Sequence, residues 1–223
     1  MTAADFLLTN VRLPDGREGM AIAIEGARIA AIIPPGGRMP QAGTVHDLGG
    51  DLVLPALTDG HMHLDKTLFG LPWMPHRAQP FRMSRIETDQ ETLPALPLPT
   101  AARAGALIHR CVAHGTGHIR THADITPAFK LSALEGVLAA REAHAHLASI
   151  QIVAFPQAGV MRVPGVAPLL EDAIRAGADL VGGIDPSEVD RDARGQLDTI
   201  FGIADRQGVG IDIHLHEPGE LGL

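Results

Sequence analysis

Tyrosine is absent from this sequence of 223 residues, and aromatic residues make up only 3% of it. A hydrophobic core must therefore be aliphatic, and the 45% of hydrophobic residues are enough to build one. Cysteine occurs once, at Cys111, which excludes an internal disulfide and favours a reducing compartment. Cys111 lies on the apolar stripe of a predicted helix, where a core position is the simplest interpretation.

Long hydrophobic runs are also missing. No apolar stretch approaches the roughly 20 residues that span a bilayer, and the N-terminus lacks the basic start and apolar run of a signal peptide. We therefore expect a cytoplasmic protein with no membrane partner. The net charge of −8 argues against a nucleic-acid partner, because phosphate binding favours a basic face. This charge suits a protein that binds small molecules.

The first 55 residues read as part of a small β-sandwich. Short strand-like runs at 6–8, 20–24, 28–33 and 45–48 are separated by turns rich in Pro, Gly and Asp. Such a small β unit cannot bury a core by itself, so we expect it to pack on another part of the protein.

From residue 56 to 223 the pattern changes to alternating strands and helices. The strand-like runs are 52–63, 117–124, 150–155, 179–184 and 210–216, and the helical segments are 99–114, 131–146, 165–176 and 192–207. This alternation predicts an α/β fold with a parallel sheet and outer helices. A doubly wound open sheet and a (β/α)8 TIM-like barrel both fit it.

Polar residues at the carboxyl ends of the strands favour the barrel, because in a barrel the carboxyl ends of all strands converge on one mouth. The residues concerned are His61, His63, His122, Asp124, Gln157, Asp185, His214 and Glu217. We therefore predict about five βα units of a TIM-like barrel, incomplete at the C-terminus. The proline-containing segment 66–98 follows the first barrel strand, and it either covers the mouth or is a surface insertion.

The clearest chemical signal is the pair His61 and His63, within the run 60–66. Residues two apart in a strand point to the same face, so the two imidazoles are presented together. Imidazole nitrogen suits zinc, iron and similar divalent ions. Two histidines making ordinary hydrogen bonds are the alternative, but the position at the end of the first barrel strand favours a metal.

A second signal ends the fifth strand, in the run 214–217. Either His214 or His216 can complete a three-ligand set, and the other then faces a loop or is structural. Glu217 follows, and a carboxylate beside a metal site can carry protons between water and substrate. Taken alone, Glu217 would be read as a solvated loop carboxylate.

Three further residues are candidates for contact with a substrate. Gln157 offers a donor and acceptors to a ring amide. His122 binds substrate, supports a metal ligand or fills the top of the barrel. Asp185 lies either in the pocket or at the N-cap of the next helix.

The run 60–67, Gly-His-Met-His-Leu-Asp-Lys-Thr, resembles the first-strand motif of the amidohydrolase superfamily. The segments 120–124, 150–157 and 211–217 resemble corresponding segments of bacterial cytosine deaminases. The stretch 180–222 is also similar to N-isopropylammelide amidohydrolases, which are triazine-degrading relatives. The matches occur in order along essentially the whole chain.

The resemblance implies one Fe or Zn ion bound by His61, His63 and His214, with Glu217 as proton shuttle and Gln157 on the substrate ring. The fourth barrel strand has no lysine that could bridge two metals, which supports a one-metal site. The implied reaction is hydrolytic deamination of a cytosine-like heterocycle. Hydrolysis of an amide or N-alkyl amine on another ring, such as a triazine, is the alternative.

Members of this superfamily are longer, and their sixth and eighth barrel strands supply a further histidine and an aspartate. We therefore expect a fragment, a truncated gene product or a chain that another chain completes. A non-catalytic metal-binding fragment is the alternative from another class of protein. The sequence leaves the substrate, the metal and the formation of a homo-oligomer open.

Overall fold

The first 55 residues form a four-stranded mixed sheet in the computed structural model, which describes residues 3–217 and 219–222. The strand order is β3-β2-β1-β4, with β1 Ala4–Val11, β2 Met20–Glu25, β3 Arg28–Ile33 and β4 Ala42–Asp47. Strands β1, β2 and β3 pair antiparallel, whereas β4 runs parallel to β1. The strands predicted for this part of the chain are therefore confirmed.

Residue 56 begins a second compact unit, which extends to residue 223. Its five strands pair in parallel in chain order and are β5 Leu57–Met62, β6 Thr116–Asp124, β7 Ser149–Phe155, β8 Leu180–Ile184 and β9 Gly210–His214. The connecting helices include α2 Thr100–Ala113, α3 Ser132–Ala143, α4 Val166–Ala176 and α5 Ala193–Gln207. The predicted βα alternation is confirmed.

The main core lies between this sheet and its helices. Ile119 of β6 and Ile152 of β7 point to the helical side, where they pack with Ile108, Leu134 and Leu170 of α2, α3 and α4. Fully burying such a side chain contributes about 1.5–3 kcal/mol. Because successive strand residues alternate between faces, the opposite face of β6 carries polar side chains.

The sheet is strongly curled, and this curvature decides between barrel and open sheet. Strands β5 and β9 are its two edges, and in a flat sheet four spacings of about 4.8 Å would place them about 19 Å apart. Yet Nε2 of His63, just after β5, lies 3.2 Å from Nε2 of His214 in β9. Arg120 of β6 likewise reaches Asp212 of β9 at 2.8 Å. The five strands therefore form part of a barrel wall.

Two predicted strands prove shorter in the structure. The run 52–63 becomes a strand only at Leu57, because Pro55 has no backbone N–H to donate and Leu52 bridges to Arg12 in the first unit. The run 210–216 ends at His214, because the N–H of His216 donates to the Asp185 side chain.

The segment 66–98 contains a helix that the sequence analysis did not predict. Helix α1 spans Arg82–Thr92 and is followed by a 3₁₀ turn at Leu93–Ala95. Ile86 is its single buried residue, so the sequence shows no apolar stripe. Within the described residues, no helix combines the length and apolar character needed to cross a membrane.

Candidate metal centre

Four histidines from three strands meet at the carboxyl end of the curled sheet. His61 and His63 come from the end of β5, His122 from β6 and His214 from the end of β9. One ring nitrogen from each lies within 4.8 Å of those of the others. The fold thus brings together all three predicted metal ligands, and places His122 beside them.

The geometry of His63 and His214 fits a shared cation. Their Nε2 atoms lie 3.2 Å apart, and two nitrogens bound at about 2.0–2.1 Å to a tetrahedral ion would be about 3.3–3.4 Å apart. The Nδ1 atoms of both rings are buried without a hydrogen-bond partner among the described residues. Imidazole Nε2 atoms at this spacing are a suitable pair of donors for zinc or iron.

Two rings of the cluster, those of His63 and His214, are kept neutral by their surroundings. Burial, reinforced by the Lys66 ammonium, lowers the pKa of His63 to about 2. Burial, reinforced by His122, lowers the pKa of His214 to about 3. Neutral rings at pH 7 have a free lone pair, which is the form that binds a metal.

These shifts predict how the stability of the metal-free protein depends on pH. Below the ordinary imidazole pKa of 6.5 the unfolded chain binds protons that folded His63 and His214 do not bind. The contribution of these two groups to the free energy of unfolding is therefore complete above about pH 7, and it declines as pH falls toward about 3. For two groups the slope is at most about 2.7 kcal/mol per pH unit.

Urea unfolding of the chelator-treated protein between pH 7.5 and 4.5 measures this decline. The double variant H63N/H214N should lose less stability over that range than the unmodified protein. An equal pH dependence of stability in the two proteins would contradict the low pKa values assigned to His63 and His214.

His122 differs from the other three histidines because both of its nitrogens face acceptors. Nδ1 lies 3.3 Å from the Met62 carbonyl oxygen, and Nε2 lies 3.3 Å from Oδ1 of Asp212. The ring is fully buried, and burial lowers its pKa. The sequence analysis overlooked Asp212, although its position two residues before His214 puts both side chains on one face of β9.

A cavity of about 420 Å³ opens beside the cluster. His63, His214, Gln157 and Asp185 line it, together with Lys66 and residues of α1 that include Arg82 and Ile86. Segment 66–98 thus contributes a wall to the cavity, as one of its two interpretations proposed. The structure also brings Gln157 and Asp185, two of the three candidates for contact with a substrate, to the same cavity.

The polar wall residues are held by partners on α1 and on the loops. Gln157 donates from Nε2 to Asp89 at 3.3 Å, which leaves its carbonyl oxygen available. Asp185 accepts from Arg82 and from the N–H of His216. The alternative that Asp185 caps the next helix is wrong, because Asp192 caps α5 by accepting from Gly195 at 2.9 Å.

Glu217 is placed beside the β8–α5 connection. Its Oε1 accepts from the Ser187 N–H at 2.7 Å, and its Oε2 is buried without a partner among the described residues. His216 lines the cavity but is not one of the four clustered histidines. The proton-shuttle role of Glu217 stays a prediction.

A buried ion pair that the sequence analysis missed lies next to the cluster. Lys66 Nζ is 3.5 Å from Oδ2 of Asp124, which is fully buried. Burial raises the pKa of Asp124 to about 6. Asp65 accepts from the Asp124 backbone N–H at 2.9 Å, so the first-strand motif is tied to the end of β6.

Comparison with known proteins identifies the family of the chain. Residues 44–222 match the model of the amidohydrolase family. N-isopropylammelide isopropyl amidohydrolase of Pseudomonas sp. (strain ADP) is 32% identical over 228 residues, covering 98% of this chain and 55% of that protein. The curled parallel sheet is therefore a segment of a (β/α) barrel, and the chain belongs to the amidohydrolase family.

Two solved structures support the fold. N-isopropylammelide isopropylaminohydrolase from Burkholderia multivorans superposes with a TM-score of 0.88 at 41% identity, covering 97% of this chain and 54% of that one. 5-Methylcytosine deaminase from Klebsiella pneumoniae gives a TM-score of 0.79 at 30% identity, covering 95% and 51%. The predicted partial barrel with a preceding β unit is confirmed, and the chain spans about half the length of these relatives.

Proposed function

We propose that the protein is a metal-dependent hydrolase that deaminates a cytosine-like or related nitrogen heterocycle. The observation that carries the proposal is the meeting of His61, His63 and His214 from two opposite sheet edges, with a 3.2 Å contact between the Nε2 atoms of His63 and His214. A cavity of about 420 Å³ beside them is large enough for a small ring compound.

The three histidines would hold one divalent ion, zinc or iron. When bound, such an ion lowers the pKa of water and so supplies a nucleophile near neutral pH. In the overall reaction water adds to the ring carbon that bears the exocyclic amine, the C–N bond breaks, and ammonia or an amine leaves. The ring carbon becomes a carbonyl.

The residues of the cavity wall would orient the ring. The amide nitrogen of Gln157 donates to Asp89, and this contact fixes the orientation of the amide group. The carbonyl oxygen of Gln157 stays available to accept a hydrogen bond from a ring N–H. The Lys66 ammonium, which lines the cavity and lies 3.5 Å from Asp124, can donate to a carbonyl oxygen on the ring. Asp185 holds α1 against the mouth through Arg82, and in this way it shapes the substrate site.

Proton transfer would fall to Glu217, with His122 assisting. The unpartnered Oε2 of Glu217 is available to hold a proton destined for a ring nitrogen. In its neutral form His122 has one N–H, which can donate to the Met62 carbonyl oxygen or to Asp212, and its other nitrogen can accept a proton. Both assignments are proposals that rest on the family resemblance and on these contacts.

A second candidate is hydrolysis of an amide or N-alkyl amine on another heterocycle such as a triazine. It is favoured by the higher identity to the isopropylaminohydrolase, 41%, than to the methylcytosine deaminase, 30%. Both reactions displace an amine from a ring carbon, so the same residues serve either. The choice depends on the amine substituent that the cavity accepts.

Chelation and a substrate panel test the proposal on the whole gene product. We expect ammonia from cytosine-like rings, or alkylamine from N-alkyl triazines, and we expect chelator to abolish release and zinc or iron to restore it. Undiminished release after verified metal removal would exclude a metal-dependent reaction.

Metal analysis in the same preparation separates the non-catalytic alternative. Bound metal without turnover on any member of the panel would favour a metal-binding fragment. Cytoplasmic location, a small heterocyclic substrate and formation of a homo-oligomer stay predictions.

A further inference from the structure

We propose that Asp212 is a positioning residue of the metal centre, which fixes the ligand imidazoles through His122 and keeps His122 out of the ligand set. The inference rests on the metal site proposed above. Asp212 belongs neither to the first-strand motif nor to the set of proposed metal ligands.

The location of Asp212 carries the first step. It lies two residues before His214 in β9, so both side chains point into the barrel. Its Oδ1 is 3.3 Å from Nε2 of His122, and its Oδ2 accepts from Arg120 at 2.8 Å. Arg120 in turn donates from Nε to Gln151 of β7 at 2.8 Å. The carboxylate is therefore held in place from β6 and β7.

The second step is the bridge that His122 makes. One ring nitrogen faces the Met62 carbonyl oxygen in β5, and the other faces Asp212 in β9. These are the two strands that supply the three proposed ligands. His122 thus spans between the edges of the sheet at the level of the metal site.

The third step is packing. The centroid of the His122 ring lies 4.7 Å from that of His61, 5.2 Å from that of His63 and 4.4 Å from that of His214. His122 therefore packs against all three proposed ligand rings. Outer-shell groups that orient metal ligands typically change metal affinity by about 10–100-fold when removed.

The same contacts argue against His122 as a fourth ligand. Its nitrogens lie 3.3 Å from the Met62 carbonyl oxygen and 3.3 Å from Asp212, and the neutral ring has one N–H, which donates to one of these two oxygens. His63 and His214 instead direct their Nε2 atoms at each other across 3.2 Å. The arrangement therefore separates three ligands from one donor.

Metal binding to the whole gene product tests the proposal. The metal-free protein is titrated with Zn²⁺ against a chromogenic chelator and, in parallel, with Co²⁺ while the visible spectrum is recorded. The variants are D212N, which removes the charge at constant size, and H122Q, which keeps a side-chain donor. Asp205→Asn, at an exposed position of α5, is the matched control.

We expect one ion per chain in all four proteins, with affinity lowered about 10–100-fold in D212N and unchanged in D205N. The cobalt spectrum of H122Q should keep the band intensities of the unmodified protein, because the number of ligands is the same. Thermal unfolding of the metal-free forms checks that D212N is folded. If it is not, R120M, which leaves Asp212 and His122 in place, should still lower affinity by about threefold or more.

Three results would overturn the inference. The first is unchanged zinc affinity in folded D212N, or in R120M where D212N does not fold. The second is a change of cobalt band intensity in H122Q that marks a lost ligand. The third, no ion bound by the unmodified protein, overturns the proposed function as well, so the two failures are distinguishable.

Discussion

Replacing His63 by alanine is expected to empty the metal site and to reduce amine release by at least about 10³-fold. The imidazole of His63 lies 3.2 Å from that of His214, so its loss removes one of the three ligands and opens a gap beside a second. Loss of a direct ligand should exceed the roughly 10–100-fold effect that is typical of outer-shell partners. Elemental analysis and steady-state kinetics of the whole gene product measure both quantities.

The matched control is His146→Ala, because His146 is exposed and lies outside the cluster of four histidines. It should retain one ion per chain and unmodified activity. Full metal content in H63A would show that His63 is not a ligand. Normal metal content with lost activity would instead limit His63 to a role in binding substrate.

Replacing Arg103 by methionine is expected to lower the free energy of unfolding by about 3 kcal/mol or more. The Arg103 side chain is almost fully buried, at 2% exposed, and donates to three backbone carbonyls, those of Asp65, Thr67 and Leu98. Methionine fills a similar volume but leaves these acceptors unpaired, at a cost of about 1–3 kcal/mol each. Urea unfolding at pH 7 measures the change.

Arg110→Met is the control on the same helix, α2, because Arg110 is exposed. Its effect should stay within about 0.5 kcal/mol, as for most surface substitutions. R103M should also weaken metal binding, because Arg103 fixes the backbone that follows His63. Equal stability of R103M and R110M would refute the anchoring role.

The sequence by itself determined the class of fold and several candidate residues of the metal site. Alternation of apolar strands with helices predicted the parallel sheet, and the spacing of His61 and His63 predicted one shared face. The histidine run that ends the fifth strand left His214 and His216 open, and the resemblance to the amidohydrolase superfamily implied His214. These signals are local, since each depends on residues only a few positions apart.

Only the tertiary structure decided which side chains share the site. The curl of the sheet brings β5 and β9 together, and no local pattern records a contact between the two edges of a sheet. Pairing of His122 with Asp212 and burial of Arg103 likewise join residues far apart in sequence. Helix α1 was not predicted from the sequence because its contacts with other residues of the cavity wall, such as the pair Arg82–Asp185, are polar. Apolar periodicity records burial against a core, whereas a polar interaction between distant segments depends on how the chain folds in three dimensions.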